Sequence, residues 1–485
     1  MYNLLMTGIS TGPDTEQVAG MQTGGRSPRG KLVERGALLA LVVLYLAASC
    51  GFALVTPYPE APDEYGHLQY VEHIVRFGTL PTIARESYTY EALQAPLYYM
   101  VGAGFISVGR VVSGQKLNSL LTPWPQLNPD FKEGVTYAVM IHPPEDRWAF
   151  WVYALRAYSI VLGTGVVILT YATARVLVPW PAPAAVPIMS AAFAALIPQA
   201  NFIRGSISNE NMASLAGALL LWLLALHLAR PYHSRRALWI GAALGLGLLS
   251  KVIIVALVPV VLWTLWVKCA GQLRLCLRDT AVMGAAATLV CGWLYAYRWI
   301  VYGDPLAYTA SREVTQRSPF QLADLFWFQE PFRAVLWKSF WGNYGWQQIW
   351  MPDLVYHVFM AITLMAVAGG VYLLLRRALT PAQSAMCAML LMSLLMIYIL
   401  VVIINTSQVI WQGREMYPVL SGMCVLLGLG MGGVAFGRRA LVAPLQPLPA
   451  LRRYARSTVL ALAVLFLLSV NVYSIFWLVL PALNP

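Results

Sequence analysis

Residues 36–64 read GALLALVVLYLAASCGFALVT and then PYPEAPDE. The first 21 residues carry no charge, and a helix of that length spans about 30 Å of hydrocarbon at 1.5 Å per residue. The next eight turn abruptly to proline and acid. A basic flank of Arg26, Arg29, Lys31 and Arg35 precedes the run. Positive charge on that side marks an uncleaved signal anchor with the N-terminus inside and residues 57 onward outside.

The rest of the chain repeats this pattern. Of 485 residues, 59% are hydrophobic and 11% charged, too little polar surface for a soluble domain of this size. This excludes a cytosolic enzyme, and disorder outside the Gly/Thr/Ser-rich residues 1–35, which read as a cytoplasmic tail. The net charge of +12 lies mostly in short runs between apolar stretches. That distribution describes topology rather than a nucleic-acid partner. The six cysteines are scattered, so neither a disulfide nor a metal site is expected.

Uncharged runs fall at 36–56, 157–174, 182–203, 211–229, 280–297, 354–375, 385–406, 416–436 and 457–480. Two stretches are ambiguous. Residues 237–267 would span about 46 Å as one helix, and their one charge is Lys251. Residues 94–113 are apolar but contain Arg110. If 94–113 stays on one side and 237–267 is a hairpin with Lys251 at its outer tip, the inside segments hold 18 Lys/Arg and 4 acids. The remainder then holds 15 and 17. Any other choice moves basic loops outside, against the positive-inside rule. The expectation is an all-α polytopic membrane protein of about 11 transmembrane helices. It forms a single domain over 36–480, with extracytoplasmic loops 57–155 and 303–353. Residues 94–113 then form an amphipathic interfacial helix. Chemistry on that face has no access to cytosolic ATP or nucleotide sugars.

Those loops carry the candidate site. Asp63 follows Pro62 at a helix start, where it is either an N-cap or a reactive carboxylate, two readings the sequence leaves equal. His67 and Tyr70 share its face at helical spacing. Arg156, Arg204, Lys251, Arg298 and Arg414 all fall at the outer ends of spans. An arginine at such a place is ordinarily an anchor that reaches the headgroups. Lys251 has no such excuse inside GLGLLSK, residues 245–251, and marks a polar cavity or partner. Glu415 is the neighbour expected to pair with Arg414. Asn209 and Glu210 read as a helix cap or as site groups.

Pro62-Asp63-Glu64 after the first span, followed by Pro96-Leu97-Tyr98-Tyr99, resembles the GT-C membrane glycosyltransferases. The nearest likeness is to the protein O-mannosyltransferase and lipid A aminoarabinose transferase branch. Arg156 opening a span, Asn209-Glu210 at an outer turn, Gly247-Leu248-Leu249-Ser250-Lys251 and Tyr302-Gly303-Asp304-Pro305 follow in the matching order. The chain departs from the pattern at Gln94-Ala95-Pro96 and at Arg414-Glu415. The resemblance implies an inverting transferase moving a sugar from a polyprenyl-phosphate donor to a lipid, glycan or protein acceptor. It implies Asp63 as base with Glu64 beside it. Arg156, Lys251, Arg298 and Arg414 would hold the donor phosphate. His67, Tyr98, Asn209 and Glu210 would orient groups or meet the acceptor. No metal or other cofactor is expected, and the setting would be a bacterial inner or plasma membrane. The rival reading is a transporter or flippase of a lipid-linked or anionic substrate, since intramembrane charges also mark transport paths.

A topology reporter fused after Lys31 should report inside, and one fused at Gln126 or Ser318 should report outside. An inside signal at Gln126 would mean that 94–113 crosses the membrane.

Overall fold

The computed structural model describes residues 28–83, 89–113, 126–132, 135–142, 149–307, 309–310, 332–406, 412–441 and 450–484. The tail before residue 28 and parts of both large loops, including Pro143-Pro144, lie outside the described residues.

The described chain is a helical bundle. Its helices are α1 (Pro28–Val55), α2 (Glu64–Phe77), α3 (Leu97–Ser113), α4 (Ala149–Leu177), α5 (Ala185–Leu196), α6 (Pro198–Arg204), α7 (Glu210–Ala229), α8 (Arg235–Ser250), α9 (Val258–Lys268), α10 (Leu273–Tyr302), α11 (Phe332–Trp341), α12 (Asp353–Leu375), α13 (Pro381–Asn405), α14 (Leu420–Phe436) and α15 (Ala450–Tyr473). One two-stranded ribbon pairs Asn343–Tyr344 with Ile349–Trp350. Among the described residues, eight helices are long and apolar enough to cross a membrane, or nine if the bent pair α5–α6 is one span. The chain is therefore an integral multi-pass protein. The shortfall from eleven lies in 237–267. That stretch is not two full spans but a 16-residue helix, a break at Lys251 and a shorter apolar helix. Residues 97–113 form a helix, as expected, and its free side shows Phe105, Val108, Val111 and Val112.

Two breaks shape the end of the bundle that matters below. Pro198 has no N–H to donate and drives Ile197 into extended backbone, so α5 and α6 meet at a 56° bend. Lys251 takes an extended conformation, φ −159°, between α8 and the 3₁₀ turn Val252–Leu257. Each break frees the chain to turn side chains inward where a continuous helix would carry them past.

The centre is packed through small residues. Ala191 to Ala195 are fully buried around α5, which suits a bundle whose helices gain nothing from excluding water and must gain from contact. A polar clamp lies among them. Asn201 Nδ2 donates to Asn471 Oδ1 at 3.0 Å, and Asn471 Nδ2 donates to the Leu196 carbonyl at 2.8 Å. This ties α15 to the 197 bend and satisfies a carbonyl that the bend leaves open.

Gly217 on α7 sits so close to the segment 413–419 that a Cβ would come 1.8 Å from the Pro418 carbonyl oxygen. No side chain fits there. Gly217→Ala should force α7 off that segment and cost about 1–3 kcal/mol, read as a lower melting temperature of the purified protein. An unchanged melting temperature would show that the contact is dispensable.

Candidate active site

The chain leaves α1 at Val55 and reverses into α2 through residues 57–63. Three acids in that turn have three different fates. The Glu60 carboxylate is fully buried and accepts from the backbone N–H groups of Met140 at 2.8 Å and Val139 at 3.2 Å, with His142 Nε2 at 3.1 Å. It pins residues 139–142 over the turn. Glu64 is also fully buried. It receives Arg156 Nε at 2.8 Å and Nη2 at 2.6 Å as a two-point fork, and the backbone N–H of Ile207 at 3.0 Å. Arg156 gives its Nη1 hydrogens to the Ala53 and Thr56 carbonyls at 2.6 and 2.9 Å. The third acid, Asp63, is held between these two anchors.

Asp63 has a left-handed backbone, φ 61° and ψ 6°, and its side chain makes no cap bond to α2. The N-cap reading is thereby excluded. A left-handed residue other than glycine costs about 1 kcal/mol or more, which the anchored neighbours sustain. The carboxylate points instead to Arg414 Nη2 and to Tyr90, whose hydroxyl donates to Oδ1 at 3.0 Å. Its side chain is 26% exposed, against 0% for Glu64 and 9% or less for Glu210 and Glu415. Burial alone would raise the Asp63 carboxyl. The Arg414 guanidinium, through its charge and its hydrogen bond, and the hydrogen bond from Tyr90 outweigh it and hold the group below its ordinary value.

Behind Asp63 lies a second charged group. Lys251 Nζ donates to Glu210 Oε1 and, at 2.7 Å, to Glu415 Oε2. Glu415 thus pairs with Lys251, and Arg414 next to it turns to Asp63. The expected Arg414–Glu415 pair does not form. Asn209 Nδ2 donates to Gln94 Oε1 at 3.0 Å, closing residues 91–94 over this group. Arg298 Nη2 donates to the Leu93 carbonyl at 2.5 Å, and among the described residues its buried Nη1 has no partner. The Arg414 Nε is in the same state.

The loop at 89–94 approaches because α2 carries Gly66. A Cβ there would strike the Tyr90 ring at 2.7 Å and Glu91 at 3.0 Å. Thr89 Oγ1 donates to the Gly66 carbonyl at 2.7 Å. Burial, with the negative charge of Asp63 added, pushes the Glu91 carboxyl up to about 8. Burial pushes His67 down to about 3, so its ring is neutral, with Nδ1 at 2.8 Å from the Tyr99 hydroxyl. Tyr65 packs edge-on to Tyr90 with centroids 5.1 Å apart and lies 6.1 Å from Trp346, whose Nε1 donates to the Pro59 carbonyl. These three rings form a wall beside Asp63. Among the described residues, no group of three or more His, Cys, Asp or Glu side chains is placed to hold a metal ion.

Two solved structures share this architecture over nearly the whole chain. ArnT from Cupriavidus metallidurans in the apo state matches with a TM-score of 0.50 at 15% identity, covering 93% of this chain and 74% of that one. The Archaeoglobus fulgidus oligosaccharyltransferase, tethered with an acceptor peptide, matches with a TM-score of 0.50 at 14% identity, covering 92% and 56%. The chain has the GT-C fold. It spans about half the length of the archaeal protein. No protein-family model matches the sequence, and no curated protein matches it.

In this GT-C chain the expected site residues divide. Asp63, Lys251, Arg414 and Glu210 come together, with Asn209 and Arg298 at the edge. Glu64 and Arg156 do not open onto the site. They neutralise each other, and their work is to fix the turn that carries Asp63. Tyr98 is also displaced. Its hydroxyl meets Ser159 Oγ at 2.8 Å and its ring stacks on Tyr158, between α3 and α4. The adjacent Tyr99 faces His67 in its place. His67 reaches Tyr99 rather than hydrogen-bonding to Asp63. Tyr90, Glu91 and Trp346 were not among the candidate site residues drawn from the sequence. The run Tyr90-Glu91 eight residues before Tyr99 offered the one available signal.

The proton on Glu91 has a measurable consequence. Its carboxyl titrates near 4.5 when unfolded and near 8 when folded. Between those values the folded protein holds a proton that the unfolded chain has released, so stability falls as pH rises from about 4.5 to 8 and is level above. Glu91→Gln should flatten that slope in thermal denaturation. An unaltered slope would place the titration elsewhere.

Proposed function

We propose that the chain is an inverting glycosyltransferase, taking a sugar from a polyprenyl-phosphate donor to an acceptor at the extracytoplasmic face. The observation that carries this reading is Asp63: of Asp63, Glu64, Glu210 and Glu415 it is the most accessible, aimed by Arg414 and Tyr90 from a strained backbone. The GT-C fold supports the reaction class.

The chemistry follows from the arrangement. The acceptor hydroxyl lies against the Asp63 carboxylate, which is ionised because Arg414 holds it so. As the hydroxyl oxygen bonds to the anomeric carbon, its proton passes to Asp63. The bond from that carbon to the phosphate oxygen breaks on the opposite side, and its electron pair leaves with the lipid phosphate. Negative charge therefore grows on the phosphate in the transition state. Cations fixed in a dry site stabilise that state more than the ground state.

Arg298 and Arg414 suit the phosphate best, because each keeps a buried N–H with no partner among the described residues. Lys251 can join them only by loosening its hold on Glu210 or Glu415. Arg156 leaves the phosphate set, and Glu64 becomes a positioning residue. The wall of Tyr65, Tyr90 and Trp346 offers flat apolar faces with polar edges, which suits a sugar ring held beside Asp63. No metal takes part in this scheme.

A radiolabelled polyprenyl-phosphate sugar presented to the purified protein tests the reading. Transfer or donor hydrolysis supports it, and movement into vesicles without turnover overturns it in favour of a flippase. Asp63→Asn should lower transfer by about 10²–10⁴-fold with little change in melting temperature. Glu64→Gln should act on stability instead, by about 3–5 kcal/mol, since it strands a buried arginine. Near-normal turnover in Asp63→Asn would remove the base.

A further inference from the structure

The end of the bundle away from Asp63 carries a second cluster of charge, beside a groove. The segment that starts at Arg414 continues through α14, about 25 Å along the helix axis at 1.5 Å per residue, and ends at Gly437-Arg438-Arg439. The neighbouring α12 ends at Arg376-Arg377. Between the two helix ends lies a groove of about 620 Å³. Ala368 and Tyr372 line one side, Val434 and Phe436 the other, and Arg438 and Arg439 stand at its mouth. Arg376 lies over the Tyr372 ring at 5.7 Å, so a third arginine joins that wall.

The charge at this groove is unbalanced. Between residues 354 and 485 the sequence has eight arginines and one acid, Glu415, and Glu415 is engaged at the other end. Glu34 and Asp279, buried acids at the groove's end of the bundle, are already paired with Arg175 and Arg278. Among the described residues, no ion pair involves Arg376, Arg377, Arg438 or Arg439. Topology and helix dipoles both favour arginine at such helix ends. Neither accounts for a groove opening between them with Ala368, Tyr372, Val434 and Phe436 on its walls.

We propose that this groove binds an anionic phospholipid of the bilayer, its phosphate among the arginines and an acyl chain along Ala368 and Val434. Apolar side chains along the groove and arginines at its end match a lipid whose charge sits at one end, and basic pockets between membrane helices recognise anionic headgroups. This site is separate from the transfer reaction and stands without it.

The test titrates the purified full chain in detergent with fluorescent phosphatidylglycerol and with fluorescent phosphatidylcholine. Phosphatidylglycerol should bind saturably and more tightly. Each arginine near a lipid phosphate contributes about fivefold, so Arg438→Gln with Arg439→Gln should weaken binding by about 25-fold. Ala368→Trp, which fills the groove and keeps every charge, should weaken it too. Arg235→Gln with Arg274→Gln removes the same charge from exposed positions at this end, outside the groove, and should change affinity little. Equal affinity for the two lipids overturns the proposal. So does an equal loss in both double variants, or full binding by Ala368→Trp, since either result would mean diffuse attraction rather than a site.

Discussion

The fork between Arg156 and Glu64 carries the architecture of the end of the bundle that holds Asp63. Both groups are out of contact with solvent, and removing either charge from water costs several kcal/mol that only good geometry returns. The geometry is good: two parallel N–H···O bonds at 2.8 and 2.6 Å, with the remaining capacity taken by backbone from residues 53, 56 and 207. One interaction thus fastens the end of α1, the start of α2, the start of α4 and the bend after α6. Asp63 is next to it in sequence and inherits that rigidity. A carboxylate in a free loop would relax out of the left-handed region, but this one is clamped on its C-terminal side by Glu64 and on its N-terminal side by Glu60.

Charge balance governs the rest of the site. Arg414 and Lys251 face Asp63, Glu210 and Glu415, with Glu91 a fourth acid close by. Two cations cannot neutralise four carboxylates in a poorly solvated space. Keeping the proton on Glu91 relieves the excess while leaving Asp63 ionised. Two adjacent carboxyl groups with their protonation pushed apart are a common device where one must act as a base. The arrangement also explains the broken helices. An unbroken α8 would carry the Lys251 ammonium past Glu210, and the end of α6 at Arg204 leaves the backbone N–H of Ile207 free to donate to Glu64.

The two ends of the bundle are chemically opposite. Acids outnumber cations at the Asp63 end, while arginines gather without acids where α12 and α14 finish. A single segment, from Arg414 through Arg439, joins them. Gly217 and the glycines of α14 allow that segment to lie against α7 and α12 with backbone in contact, so the distance between the ends is fixed by close packing.

The sequence by itself determined the membrane class and most of the spans, and it pointed to the charges that gather at the candidate site. Long uncharged runs bounded by arginine leave few alternatives, because backbone in hydrocarbon must satisfy its own hydrogen bonds and helices do so locally. Asp63, Lys251 and Arg414 were legible for the same reason, being charges where charge is costly. What the sequence did not determine was partnership. Glu64 and Asp63 are adjacent carboxylates of the same kind, and nothing local says which one Arg156 will bury. Glu415 is next to Arg414 yet binds Lys251, 164 residues away, because a 3₁₀ turn sends neighbouring side chains in different directions. Tyr98 and Tyr99 exchange roles through the rotation of one helix. The span count differed at 235–268, where the backbone break that seats Lys251 shortens the helices on either side. Only tertiary structure decides such matters, since the energy of a buried charge depends on what surrounds it in space.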